Sequence, residues 1–302
     1  MNEPITIMGI EMHRGQSMPI GSHLGFRDWL MPVVAIDEDG QLKVNGTAVC
    51  IGAGTFVTAR HVVDYLLDER PEGADAGVWV AWTEGELTDD PRSGCRGQLM
   101  AVTRYRKHER VDLAILTTVL PSGAVGRHTT VPWTLRMLGL DEPLLLLGYP
   151  SGSAEADITA DGPANVVLEY PLMVGLGAVT GHRDGWGDNP KLVRSWPGIE
   201  TDAPMPSAMS GGAVIDRYNR LIGFSSSSQA PLPPELPDWN GYVSMAGFLL
   251  DMDVDVPHPG GLLKPQQLAD LIQLGEIPCL VDEATFEFDP VTGPTYRFPP
   301  MP

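Results

Sequence analysis

Three short segments carry residues able to do acid–base and nucleophilic chemistry, and they occur in the order His, Asp, Ser. The first is Gly54-Thr-Phe-Val-Thr-Ala-Arg-His61, a strand-like run of small and β-branched residues that delivers an imidazole at its tip. Imidazole suits proton shuttling because its ordinary pKa, about 6.5, lies near neutral pH. The second is Val111-Asp112-Leu-Ala-Ile-Leu116, a carboxylate opening an apolar strand. Buried against an imidazole, such a group fixes its tautomer and stabilises the imidazolium. The third is Ala208-Met209-Ser210-Gly211-Gly212, whose glycines let the backbone turn tightly and leave room for a substrate. Each alone has an ordinary explanation: a core or surface histidine, a strand-edge aspartate, a Ser-Gly-Gly turn. Together the three are a much stronger signal than any one of them.

Other reactive residue types fall into less specific patterns. Cys50 lies eleven residues before His61 and reads as a small buried strand residue. His108 lies near Asp112 and is a rival for it, in a stretch, Arg104 to Arg110, that reads as a solvated charged loop. Asp157, Asp161, Asp184 and Asp188 lack the Asp-x-Asp-x-Asp-Gly spacing of a calcium loop, and the three cysteines form no C-x-x-C pair, so no metal site is expected. The Ser210 segment has a faint likeness to the nucleophile elbow of α/β-hydrolases. That fold needs a histidine after its serine and helices between its strands; here only His258 follows, and helices are scarce.

The elements that position these residues are short strands. Of 302 residues 43% are apolar, enough for a sizeable core, and 34 Gly with 28 Pro suit strands and turns. Segments Leu30–Ile36, Leu42–Ile51, Thr55–Thr58, Val78–Trp82, Gln98–Tyr105 and Val111–Val119 form a first group, with Asp39-Gly40 as a hairpin tip and a helical turn at Val62–Leu67. A second group comprises Leu144–Tyr149, Asn165–Tyr170, Leu172–Val179, Lys191–Trp196, Ala213–Ile215, Leu221–Ser226 and Tyr242–Ala246. One amphipathic helix is predicted over Gln266–Leu274, followed by a Pro-rich tail expected to be extended or frayed. The fold class is therefore all-β, as paired barrels.

Charge excludes several functions. Twenty Lys and Arg against 39 Asp and Glu give a net charge of −19, which repels duplex nucleic acid and anionic membrane surfaces. The amino terminus lacks a basic segment followed by an apolar stretch, and the apolar run at Pro143–Gly148 is too short to span a bilayer. The expectation is a cytoplasmic protein without membrane or nucleic-acid partners.

The three segments resemble those of the chymotrypsin-like serine peptidases, and within them the bacterial HtrA/Deg-type branch. The first is similar to the motif G-x-x-F-V-T-A-x-H-V, the second to D-L-A-hydrophobic. The third, Thr201-Asp-Ala-Pro-Met-Pro-Ser-Ala-Met-Ser210-Gly-Gly-Ala213, resembles T-D-A-x-x-x-x-G-N-S-G-G-A with its spacing intact. Leu147-Gly148-Tyr149-Pro150 is similar to the family's G-x-P turn. The resemblance implies two six-stranded antiparallel β-barrels, a first at about residues 29–120 and a second at about 140–250. Residues 1–28 would precede this peptidase domain and residues 251–302 extend it, too few for a PDZ domain. His61 would be the general base, Asp112 the orienting acid, Ser210 the nucleophile, and the N–H groups of Ala208 and Ser210 the oxyanion hole. No cofactor is implied. Pro204 and Met205 would floor the specificity pocket, and Phe224, Ser225 and Ser226 would pair with an extended peptide substrate.

The departures carry expectations of their own. Ala208 stands where the family has Gly, and a Cβ disfavours positive φ, so a strained or flipped peptide and a slow or latent enzyme awaiting a partner protein are expected. The competing class is a catalytically weak or inactive module that binds extended peptides or partner proteins. Met209 replaces the Asp that chymotrypsin-type zymogens use to capture a new amino terminus. Pro204, six residues before Ser210, replaces the carboxylate that trypsin-like enzymes use for basic side chains.

Overall fold

The apolar runs of the chain close into two antiparallel barrels in the computed structural model, which describes residues 3–20, 25–36, 41–52, 54–68, 77–86, 95–118, 131–156, 165–169, 171–183, 198–230, 239–257, 263–280, 286–289, 291 and 293–297. An N-terminal segment supplies β1 (Ile5–Ile7), β2 (Ile10–Met12) and β3 (Ser17–Ile20). The first barrel uses β4 (Leu30–Ile36), β5 (Leu42–Gly52), β6 (Thr55–Thr58), β7 (Val78–Glu86), β8 (Cys95–Lys107) and β9 (Ala114–Thr118), with the short helix α1 (Arg60–Val63) directly after β6. Its ring runs β4-β5-β6-β9-β8-β7 and returns to β4. In β5 the side chains of Leu42 and Val44 are buried and those of Lys43 and Asn45 only partly so, the period-2 pattern of a barrel wall. From Gly46 to Ile51 every residue is buried, because here β5 meets the second barrel.

The second barrel follows β10 (Trp133–Thr134). It comprises β11 (Pro143–Gly148), then, after an inserted pair β12 (Gly152–Ala156) and β13 (Asn165–Leu168), β14 (Leu172–Arg183), β15 (Gly198–Thr201), β16 (Ala213–Asp216), β17 (Leu221–Gln229) and β18 (Asn240–Met245). The ring is β11-β14-β15-β18-β17-β16, closed by β16 on β11. Leu144 to Leu147 of β11 are fully buried on both faces, which is why this strand reads as an unbroken apolar run.

Several local expectations are corrected. Asn165–Tyr170 is expected in the second group, yet β12 pairs with β5 and β13 with β8, so these strands reach back to the first barrel. Val166 and Leu168 are buried there; alternation says that a strand has an apolar face but not which sheet it joins. Arg104 to Lys107 ends β8 rather than forming a loop, and Arg104 and Arg106 reach the buried Asp255 while Lys107 reaches Asp64. The N-terminal segment adds β3 to β14.

The tail is more regular than expected. It contains β19 (Asp253–Pro257) paired with β20 (Leu263–Gln267), then α2 (Leu268–Gln273), β21 (Cys279–Leu280) beside β10, and β22 (Phe286–Asp289) paired with β23 (Gly293–Tyr296). Buried Tyr296 anchors it by accepting the Gly247 N–H at 2.9 Å. Asp39-Gly40, Lys191–Trp196 and the four loop aspartates lie outside the described residues. Among the described residues no helix is long and apolar enough to cross a membrane, and no group of three or more His, Cys, Asp and Glu could hold a metal ion.

Candidate active site

β6 ends at Thr58, and the chain enters α1 through an extended Ala59, which sets His61 in the first turn of the helix. Amide groups in a first helical turn have no intrahelical acceptor. Asp112 supplies one: its Oδ1 accepts the His61 backbone N–H at 2.9 Å, while Oδ2 lies 2.8 Å from the ring Nδ1. One carboxylate thus fixes both the main chain and the ring of the same residue. Asp112 sits in the bend before β9, where Leu113 N–H closes on Val111 O at 2.9 Å. His108, the rival for this carboxylate, instead accepts the Arg110 and Val111 N–H groups at its Nδ1, each at 3.0 Å, and so shapes the loop that delivers Asp112.

Burial and partners tune the pair. Burial opposes the charge on Asp112, but its hydrogen bond to His61, the imidazole's charge, the Ser226 hydroxyl and the His61 N–H outweigh it, and the carboxyl pKa falls below its ordinary value. Burial likewise opposes imidazolium at His61. The hydrogen bond to Asp112 and its charge, with a contribution from Asp64, prevail, and the imidazole pKa rises. Asp64 itself pairs with Arg60 and Lys107. Ser226 donates its hydroxyl to Asp112 Oδ2 and Ser244 donates to the Asp112 backbone oxygen at 3.3 Å, so two second-barrel hydroxyls hold the first barrel's acid.

The serine loop is held from both barrels. Gly211 has φ +83°, and a Cβ there would lie 2.2 Å from Thr47 O and 2.3 Å from Thr58 Oγ1; only glycine allows this approach. The Gly211 N–H donates to Ser225 O at 2.7 Å, and Ser225 Oγ donates to Met209 O at 2.6 Å. Met209 is buried. Ala208 lies at φ 67°, a left-handed conformation that costs an alanine about 1–2 kcal/mol. The Ser207 carbonyl accepts the Ser151 N–H at 2.7 Å. In a trans peptide N–H and C=O point oppositely, so the Ala208 N–H is turned away from Ser151. Neither it nor the Ser210 N–H has a hydrogen-bond partner among the described residues.

A model of the trypsin-like peptidase domain matches residues 46–224, more than half of the chain. The chain belongs to the trypsin-like peptidase family. No curated protein matches it. Among solved structures it is similar to the Rv3671c protease in an inactive form, at 17% identity and TM-score 0.44, over 74% of this chain and 86% of that one. It is similar to Deg5 at 16% identity and TM-score 0.45, over 72% and 84%. For the HtrA-type protease AlgW with a tripeptide the figures are 18% and 0.46, over 73% of this chain and only 57% of that one.

The remaining residues of this trypsin-like peptidase fall into two sets. Pro204 and Met205 are buried in the segment between β15 and the serine, where Ser228 Oγ donates to Met205 O at 2.7 Å. Asp202, two residues before Pro204, accepts the Ala178 N–H and pairs with Arg14 at 2.6 Å. Phe224 and Ser225 are committed to the barrel ladder. The β17–β18 register shifts between Ser225 and Ser228 and the pairing resumes at Ser228 and Gln229, while the pairing of β17 with β16 ends at Phe224. Ser210 Oγ donates to Ser226 O at 2.7 Å, and among the described residues it makes no hydrogen bond to His61. Sequence reasoning named Ser226 for its backbone alone and missed its hydroxyl on Asp112. It also missed Thr47 and Ser151, whose only signal is a small hydroxyl residue at a buried strand position or next to the Tyr149-Pro150 turn.

Proposed function

We propose that the protein is a serine endopeptidase that hydrolyses extended peptides through an acyl-enzyme. Ser210 Oγ attacks the scissile carbonyl carbon and passes its proton to His61 Nε2; the tetrahedral intermediate collapses as His61 returns that proton to the leaving amine. Water then repeats the sequence on the ester. Asp112 stays ionised and stabilises the imidazolium, and the Ala208 and Ser210 N–H groups receive the oxyanion. The observation that carries this reading is the double engagement of His61 by one buried carboxylate, at 2.9 Å and 2.8 Å. Pro204 and Met205 favour an uncharged side chain before the scissile bond, since a buried cation there lacks a partner. The backbone from Ser226 onward offers the strand edge for the substrate.

The test is labelling by a fluorophosphonate, with Ser210→Ala as control, followed by a peptide-library cleavage profile. Labelling that survives the substitution removes Ser210 from the role. A profile dominated by Arg or Lys refutes the specificity assignment. A second reading, a form that is latent or merely binds peptides until a partner engages it, is favoured by one observation: Ser210 Oγ is bonded to Ser226 O rather than to His61. A substrate N–H that takes the Ser226 carbonyl would release the hydroxyl, so the two readings diverge in whether peptide alone suffices for turnover. The three cysteines are free, which supports a reducing compartment such as the cytoplasm.

A further inference from the structure

We infer that Thr47, a residue of the first barrel, is the positioning residue that keeps the second barrel's oxyanion donors in place. The inference rests on the reading of Ala208 and Ser210 as those donors. Thr47 is fully buried in β5, and all of its polar groups are used across the barrel interface or beside it. Its N–H donates to Ser210 O at 2.8 Å, and its carbonyl accepts the Thr58 hydroxyl at 2.7 Å. Its Oγ1 accepts the Tyr149 N–H at 2.8 Å and donates, in a longer bond of 3.4 Å, to Ala208 O.

The chemistry of that side chain is specific. Between an N–H on one side and a carbonyl on the other, only a group that both accepts and donates satisfies both, and a hydroxyl does. The two peptides flanking the Ala208 Cα are therefore each tied at their oxygen: Ser207 O by the Ser151 N–H and Ala208 O by the Thr47 hydroxyl. Tyr149, which donates to Thr47, lies two residues before Ser151, so both ties are anchored to one turn. A glycine at position 208 would hold positive φ unaided. An alanine is biased against it by on the order of tenfold, and the external ties supply what the residue lacks. Thr47 thus compensates for the substitution of glycine by alanine in the motif.

The experiment compares Thr47→Val and Thr47→Ser, each with Ala208 and with Ala208→Gly, reading kcat, KM and the inhibition constant of a peptide aldehyde, which binds as an oxyanion mimic. Thr47→Val is expected to lower kcat about tenfold and to weaken the aldehyde by the same factor, with KM changed less than about twofold. Thr47→Ser is expected to restore both to within about threefold, because it keeps the hydroxyl. In the Ala208→Gly background the loss should shrink to less than about threefold, the coupling expected of residues acting through one peptide. An equal loss in both backgrounds, a KM effect without a kcat effect, or failure of serine to rescue overturns the inference. Thr47→Ala replaces Thr47→Val if the latter does not fold. If the parent protein neither cleaves peptides nor labels, the peptidase reading fails, and hydrogen exchange over residues 205–212 still decides the role of Thr47. Faster exchange in Thr47→Val than in Thr47→Ser supports it, and equal exchange overturns it.

Discussion

The first barrel presents its part of the site on an unstrained backbone, whereas the second presents its part on a loop that would not hold itself. His61 follows an extended Ala59 at φ −71°, and Asp112 is locked to it twice. Ser210 follows Ala208 at φ 67° and precedes Gly211 at φ 83°. Its loop is held by Thr47, Ser151 and Ser225, so much of its order is borrowed from neighbours. Contacts also cross in the other direction, since Ser226 and Ser244 hold the first barrel's Asp112. The difference teaches that the proposed triad is shared across the interface between the barrels. Each barrel's proposed catalytic group takes part of its support from the other barrel.

The comparison is most easily broken at the triad. Ser210→Ala and His61→Ala are each expected to abolish turnover to nearly the same level, because removing either leaves the other without a task; losses of roughly 10⁶ are typical of such units. Asp112→Asn should lower kcat by roughly 10⁴ through the wrong imidazole tautomer. Peptide cleavage with matched circular-dichroism spectra checks both. Near-normal turnover in Asp112→Asn would move the orienting role elsewhere, although the nearby Asp64 is already taken up by Arg60 and Lys107.

Ser226→Ala tests whether the second barrel holds the first barrel's acid. Removing a hydroxyl that donates to a buried carboxylate costs about 1.5–3 kcal/mol of stability, and the part of it that bears on the orientation of Asp112 is expected as a fall in kcat of up to roughly a hundredfold. Measured kcat unchanged in this variant would mean that Asp112 is positioned by its own loop.

The pH profile sharpens the comparison further. His61 must be neutral to accept a proton, and its pKa lies above the ordinary imidazole value because of Asp112. Turnover should therefore be lost as pH falls through that raised value, with a midpoint above about 6.5. In Asp112→Asn the carboxylate's charge is gone, so the residual activity should retain its loss at a lower pH. A midpoint that does not move on substitution would separate the imidazole from this acid.

How much of this was legible in the residues follows from the same physics. Leu30–Ile36 was readable as an unbroken apolar run, and Leu42–Gly52 as a strand whose first residues alternate as a barrel wall requires. The pairing of Asn165–Leu168 with β8 was not, since periodicity carries no information about partners separated by some seventy residues. β15, only four residues long, was missed, its Gly198-Ile-Glu-Thr201 giving too short a pattern. At the site, His61, Asp112 and Ser210 stood out by residue type and spacing. The hydroxyls of Thr47, Ser226 and Ser244 did not, because a serine or threonine inside a strand looks the same whether or not it meets a catalytic group. Ala208 was legible as a departure, but its backbone conformation was not, because that depends on ties from Ser151 and Thr47.

Ala208→Gly carries the smallest expected effect and the sharpest distinction. In the structure the Ser207 carbonyl is already bonded to Ser151 at 2.7 Å and Ala208 already sits at φ 67°, so glycine has little geometry left to repair. It relieves the left-handed strain of a Cβ, about 1–2 kcal/mol, and loses part of that gain to the greater freedom of an unfolded glycine. A rise in thermal midpoint of no more than about 2–4 °C is expected, with turnover raised by at most about threefold. Were the resting hole collapsed, relieving Ala208 would restore an oxyanion donor worth roughly 10²–10³ in kcat. A rise of that size in basal peptide cleavage would show that the loop seen here is a minority state and that a partner or substrate must normally select it. The small rise, by contrast, would place the remaining barrier in the rotation of Ser210 away from Ser226 O, which the substrate backbone itself can drive.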